Sequence, residues 1–270
     1  MSEPVSPVFS FGKNWKNYLK SLNDKKIQHA ERSLKNMLNV ENLKNKRFLD
    51  AGCGSGLFSL AAVRLGAEEV VSFDVDQESV GCARHLSKKF GPYPQWLIKT
   101  GSVLDADFLS QQGKFDVVYS WGVLHHTGRM WEALDNITIP VKPGGQLFIA
   151  IYNDQGVVSQ LWEKIKWLYN MSSIPIRKTM VGGYYFIVLG VKTLQGIRSL
   201  QPPSKWFAYS DERGMNIWYD VVDWIGGYPF ETATPEAITL FFRKRKFELT
   251  NIIKKSGSGC NEFVFTLIGN

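Results

Sequence analysis

Cysteine is scarce in this chain and falls in no pattern. Its 270 residues hold three, Cys53, Cys82 and Cys260. The number is odd, and none sits at the short spacings of a disulfide framework or a zinc site. That argues against a cystine-stapled scaffold and for a reducing, cytoplasmic setting. Histidine is nearly as rare, with His29, His85, His125 and His126. No ligand spacing links them to the cysteines, so no metal is expected. The start, MSEPVSPVFS, lacks a basic segment leading into an apolar core, so no secretory signal is expected. Long apolar runs are missing as well. The longest uncharged one lies between Lys178 and Lys192, short of the roughly 20 residues a bilayer span needs.

What is present is ordinary for a globular chain, at 44% hydrophobic and 21% charged residues. A net charge of +7 permits an anionic partner without requiring one. The organising stretch is FLDAGCGSG, residues 48–56, with glycine at 52, 54 and 56. An apolar run into a glycine-rich turn, followed by LFSLAAVRL, reads as strand, loop, helix. Glycine serves there by adopting positive φ and by letting a ligand touch the backbone. No lysine follows the last glycine, which excludes a phosphate-gripping P-loop. Next comes VVSFDVD, a β-branched run ending at Asp74. A carboxylate at the end of the second strand suits the vicinal diol of a ribose.

Strands are expected near 47–51, 69–74, 95–100, 115–120 and 145–152, with helices near 55–65, 77–89 and 128–138 between them. Asp76 is placed as an N-cap, and VKPGG reads as a turn before the fifth strand. Alternation of this kind implies a parallel, doubly wound α/β sheet. Residues 12–38 read as basic helices. Thr234 and Pro235 read as the start of a late helix, and SGSG as a hairpin between two final strands. Residues 153–230 hold 14 aromatic side chains, too dense a set to leave in water. Inserted at the carboxyl edge of the sheet, they read as a helical cap over a substrate. A plain thickening of the core, or a dimer surface, is the alternative.

FLDAGCGSG, Asp74, FDVVYSWGVLHH and VKPGGQLFIAIYN, taken in that order, resemble the successive motifs of the class I S-adenosylmethionine-dependent methyltransferases. The subgroup they look most like is the small-molecule enzymes related to the ubiquinone-biosynthesis O-methyltransferases. The likeness covers about residues 45–153 and the tail from about 234. It implies a seven-stranded Rossmann-like sheet of order 3-2-1-4-5-7-6 with strand 7 antiparallel. Four segments follow: an N-terminal helical cover (1–44), a cofactor-binding core (45–152), the inserted cap (153–230) and a closing helix with two strands (231–270).

The resemblance implies S-adenosylmethionine as cofactor, S-adenosylhomocysteine as product and no metal. Gly52, Cys53, Gly54 and Gly56 should lie at the methionine end, with Asp50 accepting from its amino group or holding the loop. Asp74 should take the ribose and Val75 the adenine face. Ser102 stands where many relatives carry an acid, with Val103 beside it. Ser120 and Trp121 fall next to the sulfonium, and Trp15 either closes over the cofactor or packs on the sheet edge. His125, then His126, are candidate bases, against a simple role in capping the next helix. Tyr152, Asn153, Tyr184, Tyr185 and Trp218 are candidate substrate contacts. The leading reading is methyl transfer to a hydroxyl of a small aromatic or apolar molecule. An RNA or protein methyltransferase, a non-catalytic cofactor-binding protein and a nucleotide-dependent oxidoreductase are the alternatives, and a homodimer stays open. RKRK, residues 243–246, supports the RNA reading but also suits a solvated helix end.

Overall fold

In the computed structural model, Phe9, residues 11–199, Pro202 and residues 217–269 are described. Residues 1–8 and 10, within the first ten expected to be loose, and Trp206, Phe207 and Tyr209 of the insertion lie outside them. Seven strands form one sheet: β1 (Arg47–Ala51), β2 (Glu69–Asp74), β3 (Trp96–Thr100), β4 (Phe115–Trp121), β5 (Val141–Tyr152), β6 (Phe247–Ile253) and β7 (Cys260–Leu267). Their order is 3-2-1-4-5-7-6, as expected. Strands β1 to β5 pair in parallel, and β7 runs antiparallel to both β5 and β6.

Strand periodicity builds two cores. Phe48, Val70, Val117 and Phe148 face one side, where they meet α2 (Asp24–Leu38), α3 (Leu57–Arg64) and α4 (Gln77–Phe90). Their neighbours Leu49, Val71, Val118 and Ile149 face the other, against α5 (Ala106–Ser110), α6 (Met130–Asn136) and α10 (Pro235–Arg243). A side-chain period of two thus feeds both faces from one run of apolar residues, as a sheet covered on both sides requires. Asp76 caps α4 by accepting from the Glu78 N–H, and Thr234 caps α10 by accepting from the Ala237 N–H. The VKPGG segment is not a free turn. It lies inside β5, where the register slips between Phe115 and Val117. Gly145 is needed there because a Cβ would sit 2.9 Å from the Phe115 and Lys142 carbonyl oxygens.

Before the sheet stands α1 (Gly12–Lys20), packed on α4. After β5 come α7 (Val157–Met171), α8 (Ile174–Arg198) and α9 (Ile217–Gly226). These three share a small core of their own around Tyr169, Val181, Val221 and Ile225. Among the described residues, α8 is long and apolar enough to cross a membrane by length and composition. The uncharged run between Lys178 and Lys192 forms its middle, and the helix continues past both lysines.

A buried polar relay crosses the first core. The Trp96 indole N–H can only donate, and it donates to Ser72 Oγ at 2.7 Å. Ser72 and Ser59 hydroxyls lie 2.7 Å apart, and Ser59 donates to Asp50 Oδ2 at 2.5 Å. The direction of the relay is therefore fixed, and Asp50 is its terminal acceptor, tying β1, α3, β2 and β3. Asp50 is 2% exposed. Burial pushes its carboxyl up to about 7, opposed by the Ser59 hydrogen bond and assisted by the Asp74 charge. The unfolded chain releases this proton near its ordinary value while the folded chain keeps it. Its stabilising contribution is therefore full at low pH and lost as pH rises toward 7. Urea unfolding of wild type and Asp50→Asn should show the gap shifting in the variant's favour by roughly 3 kcal/mol between pH 4 and pH 7. Parallel pH profiles would contradict this.

Candidate cofactor and acceptor site

Beyond the carboxyl ends of β1, β2, β4 and β5 lies one cavity of about 1350 Å³. Its first part is built on the glycine loop. Gly52 and Gly54 line it at φ +79° and +51°. A Cβ on Gly52 would collide with the Val123 side chain, and one on Gly54 would lie 2.9 Å from the Trp15 indole. Both need glycine for conformation and for space. Asp74 lines the same stretch. Its Oδ2 accepts from the Gly54 N–H at 3.0 Å and its Oδ1 from the Asp76 N–H at 2.9 Å. Each carboxylate oxygen retains a second lone pair for a ligand. Burial raises the Asp74 carboxyl above its ordinary value, against those backbone hydrogen bonds.

Helix α1 roofs this part. The Gly12 N–H donates to Asp76 Oδ2 at 3.1 Å, and Asn14 Nδ2 donates to Asp223 of α9 at 2.5 Å. The Phe9 N–H donates to the Tyr228 carbonyl at 3.0 Å. These contacts seat Trp15 over the loop, so α1 bridges α4 and the inserted helices. Val75, 72% exposed, Ser102 and Val103 line the wall beside Asp74. Ser102 Oγ is already used by the Leu104 N–H at 3.1 Å.

The second part is aromatic. Trp121, His126 and Tyr152 stand at the ends of β4 and β5, facing Phe11, Tyr184, Val188 and Trp224. His126 Nδ1 lies 2.6 Å from the Pro229 carbonyl oxygen. A carbonyl cannot donate, so Nδ1 carries the proton and Nε2 is the acceptor. Burial, opposed by that hydrogen bond and reinforced by Lys166, lowers His126 to about 3. The ring is therefore neutral at physiological pH. Lys166 of α7 is fully buried behind this wall, its ammonium over the Trp224, Phe230 and Tyr152 rings and donating to the Trp224 carbonyl. Burial brings it down to about 7.

Several expected contacts fall elsewhere. His125 is fully buried and does not line the cavity. Burial lowers it well below its usual range, and neither ring nitrogen reaches a good hydrogen-bond partner, although the Ala150 backbone nearby opposes that shift. The order of the histidine pair is thus reversed: His126 faces the cavity. Asp50 ends the relay behind the loop, and Cys53 packs in the first core. Gly56 caps the start of α3 at φ +81°, where a Cβ would lie 2.9 Å from Ala83. Ser120 is fully buried and donates to the Ala51 carbonyl at 2.9 Å, clasping β4 to β1. Asn153 donates to the Lys255 and Gly257 carbonyls and accepts from Asn261, which holds the last hairpin. Tyr185 and Trp218 pack on each other, 5.4 Å between centroids, outside the cavity lining.

Among the lining residues that were missed are Val188, Trp224 and two carboxylates of α9, Asp220 and Asp223. Burial raises both to about 7, with Lys192 opposing at Asp220 and Asn14 opposing at Asp223. The signal was available: two carboxylates three residues apart in the otherwise apolar helix IWYDVVDWIG. No cluster of metal-ligating side chains is found among the described residues.

A family model described as a methyltransferase domain matches residues 23–241. A ubiquinone biosynthesis O-methyltransferase of Xanthomonas euvesicatoria pv. vesicatoria is 34% identical over 111 residues, 41% of this chain and 45% of that protein. A ribosomal protein L11 methyltransferase of Photobacterium profundum is 32% identical over 114 residues, 42% of this chain and 36% of that protein. The chain therefore spans about half the length, or less, of these curated relatives. Among solved structures, a magnesium protoporphyrin IX methyltransferase from Synechocystis PCC 6803, with bound S-adenosylhomocysteine, superposes with a TM-score of 0.54 at 15% identity, covering 94% of this chain and 93% of that one.

The division between lining and clasping residues is measurable. Asp74→Asn should weaken binding of S-adenosylhomocysteine by about 10- to 100-fold in calorimetry, through loss of a charged acceptor. Ser120→Ala should cost about 1 kcal/mol in unfolding and leave that affinity unchanged. A matching loss of affinity in Ser120→Ala would contradict the assignment.

Proposed function

The chain belongs to the methyltransferase-domain family and is a class I S-adenosylmethionine-dependent methyltransferase; on that premise we propose that it methylates a hydroxyl oxygen of a small aromatic or apolar molecule. The observation that carries this reading is the continuous cavity joining the Asp74 and Gly54 rim to the aromatic wall of the inserted helices. Its volume of about 1350 Å³ exceeds the roughly 300–1,000 Å³ of a one-ligand site, which leaves room for a donor and an acceptor side by side.

The lining suits the cofactor, because the two side-chain-free glycines make a cradle and Asp74 keeps free lone pairs. Gly52, Gly54, Asp74, Val75, Ser102, Val103 and Trp121 hold it, with Trp15 as the roof. When bound, S-adenosylmethionine supplies an electrophilic methyl group on a sulfonium whose leaving group is neutral. The protein's task is then to aim the acceptor and exclude water. Tyr152, Tyr184, Val188 and Trp224 pack the acceptor's apolar body. His126, at about 3, binds a proton too weakly to act as the base and packs beside the acceptor as a neutral ring. Asp223, at about 7, is the better-matched base and takes the hydroxyl proton. The inserted helices α7, α8 and α9 are thus a substrate cap, and three buried cysteines with no disulfide among them suit a cytoplasmic enzyme.

The direct test is transfer of label from S-adenosylmethionine to a panel of phenols and hydroquinones, with total RNA and ribosomal protein in parallel. Labelled aryl ethers are the expected product. Label in RNA or protein alone would overturn the reading. With an active phenol, kcat/KM should rise with pH and level off above about 7, as Asp223 ionises. Asp223→Asn should lower the plateau by at least about 100-fold and remove that inflection. An unchanged inflection near 7 in Asp223→Asn would contradict its role as base.

A further inference from the structure

The inserted helices turn apolar side chains outward in regular stripes. On α8, Ile176, Phe186, Ile187, Val191, Leu194 and Ile197 are all exposed, Phe186 at 72% and Ile187 at 61%. On α7, Val157, Leu161, Leu168 and Met171 follow the same three- and four-residue steps. A surface helix ordinarily spends one apolar stripe on the core. Here the inward side of α8 is already apolar, with Val181 buried and Tyr184 and Val188 in the cavity wall. The outward stripe is therefore surplus to folding.

Charge identifies what the stripe meets. No Asp or Glu occurs between Glu163 and Asp211. Lys164 and Arg198 stand exposed within these stripes, three, four or seven residues from their apolar members. An apolar face with a cationic border complements an anionic lipid surface. A second copy of the chain would bring like charges together. Spanning is disfavoured because one side of α8 is held by α7 and α9 and closes the cavity.

We propose that the exposed face of α7 and α8 seats on an anionic bilayer, with α8 lying in the headgroup plane. The helix would then have lipid on one side and the acceptor cavity on the other, and an apolar acceptor would enter from the membrane. The docking rests on the surface alone; only the delivery of the acceptor rests on the proposed reaction.

Vesicle co-sedimentation without cofactor or acceptor tests the docking separately from the chemistry. Wild type should bind phosphatidylcholine vesicles containing phosphatidylglycerol, bind pure phosphatidylcholine more weakly, and be released by salt. The double variant Phe186→Glu, Ile187→Glu, and separately Lys164→Glu with Arg198→Glu, should each weaken binding by about tenfold or more while the thermal midpoint stays put. Wild type remaining in the supernatant with both lipids would overturn the proposal. So would a lipid-independent dimer in sedimentation velocity that the Phe186→Glu, Ile187→Glu variant dissociates.

Discussion

The carboxylate of Asp74 holds the site together. It stands at the last residue of β2 and takes the Gly54 N–H on one oxygen and the Asp76 N–H on the other. The first bond sets the glycine loop, and the second sets the entry to α4. Asp76 passes the constraint on by accepting from the Gly12 N–H, which begins α1 and brings Trp15 down over Gly54. Hydrogen bonds to a charged acceptor are worth about 1.5–3 kcal/mol each. Two of them on one half-buried group, extended through Asp76, order three separate segments around the same cradle. The same group retains lone pairs toward the cavity, so the loop and the ligand site are built by one side chain.

The inserted helices complete what the sheet starts. A parallel sheet offers a crevice at its carboxyl edge and little apolar surface to line it. The insertion supplies Tyr184, Val188 and Trp224, while Lys166 behind the wall fixes the aromatic rings from the rear. Burying that lysine is costly, and its carbonyl and ring partners offset part of the cost. The charge it retains also helps keep His125 and His126 neutral. Acid and base character in the cavity is thereby divided: the histidines are pushed down and the two carboxylates of α9 are pushed up, toward the range where proton transfer at neutral pH is efficient.

Much of the fold could be read from the chain because β-branched runs and capping residues state it locally. Asp76 and Thr234 cap the helices expected of them, and the strand order follows the resemblance. The glycine rim of the cavity was legible for the same reason: Gly52, Gly54 and Asp74 are local punctuation, and all three line it. What could not be read was direction. Adjacent residues on a strand point to opposite faces, so Ser120 and Trp121 part company, and a single 3-10 turn sends His125 inward and His126 to the cavity. Asp50 was expected to accept from the cofactor or to hold the loop; Ser59 of α3, backed by Ser72 of β2, claims it instead. The spacing of Asp220 and Asp223 was on the page, but their place at the cavity depends on α9 packing against α7 and α8, a tertiary fact.

A crystal structure with bound S-adenosylhomocysteine tests the central claim most directly. We expect the ribose hydroxyls within hydrogen-bond distance of Asp74, the adenine against Val75, and the sulfur beside Trp121 facing His126 and Tyr152. A ligand bound away from Asp74, or with its sulfur turned from the aromatic wall, would contradict the assignment of donor and acceptor to one cavity.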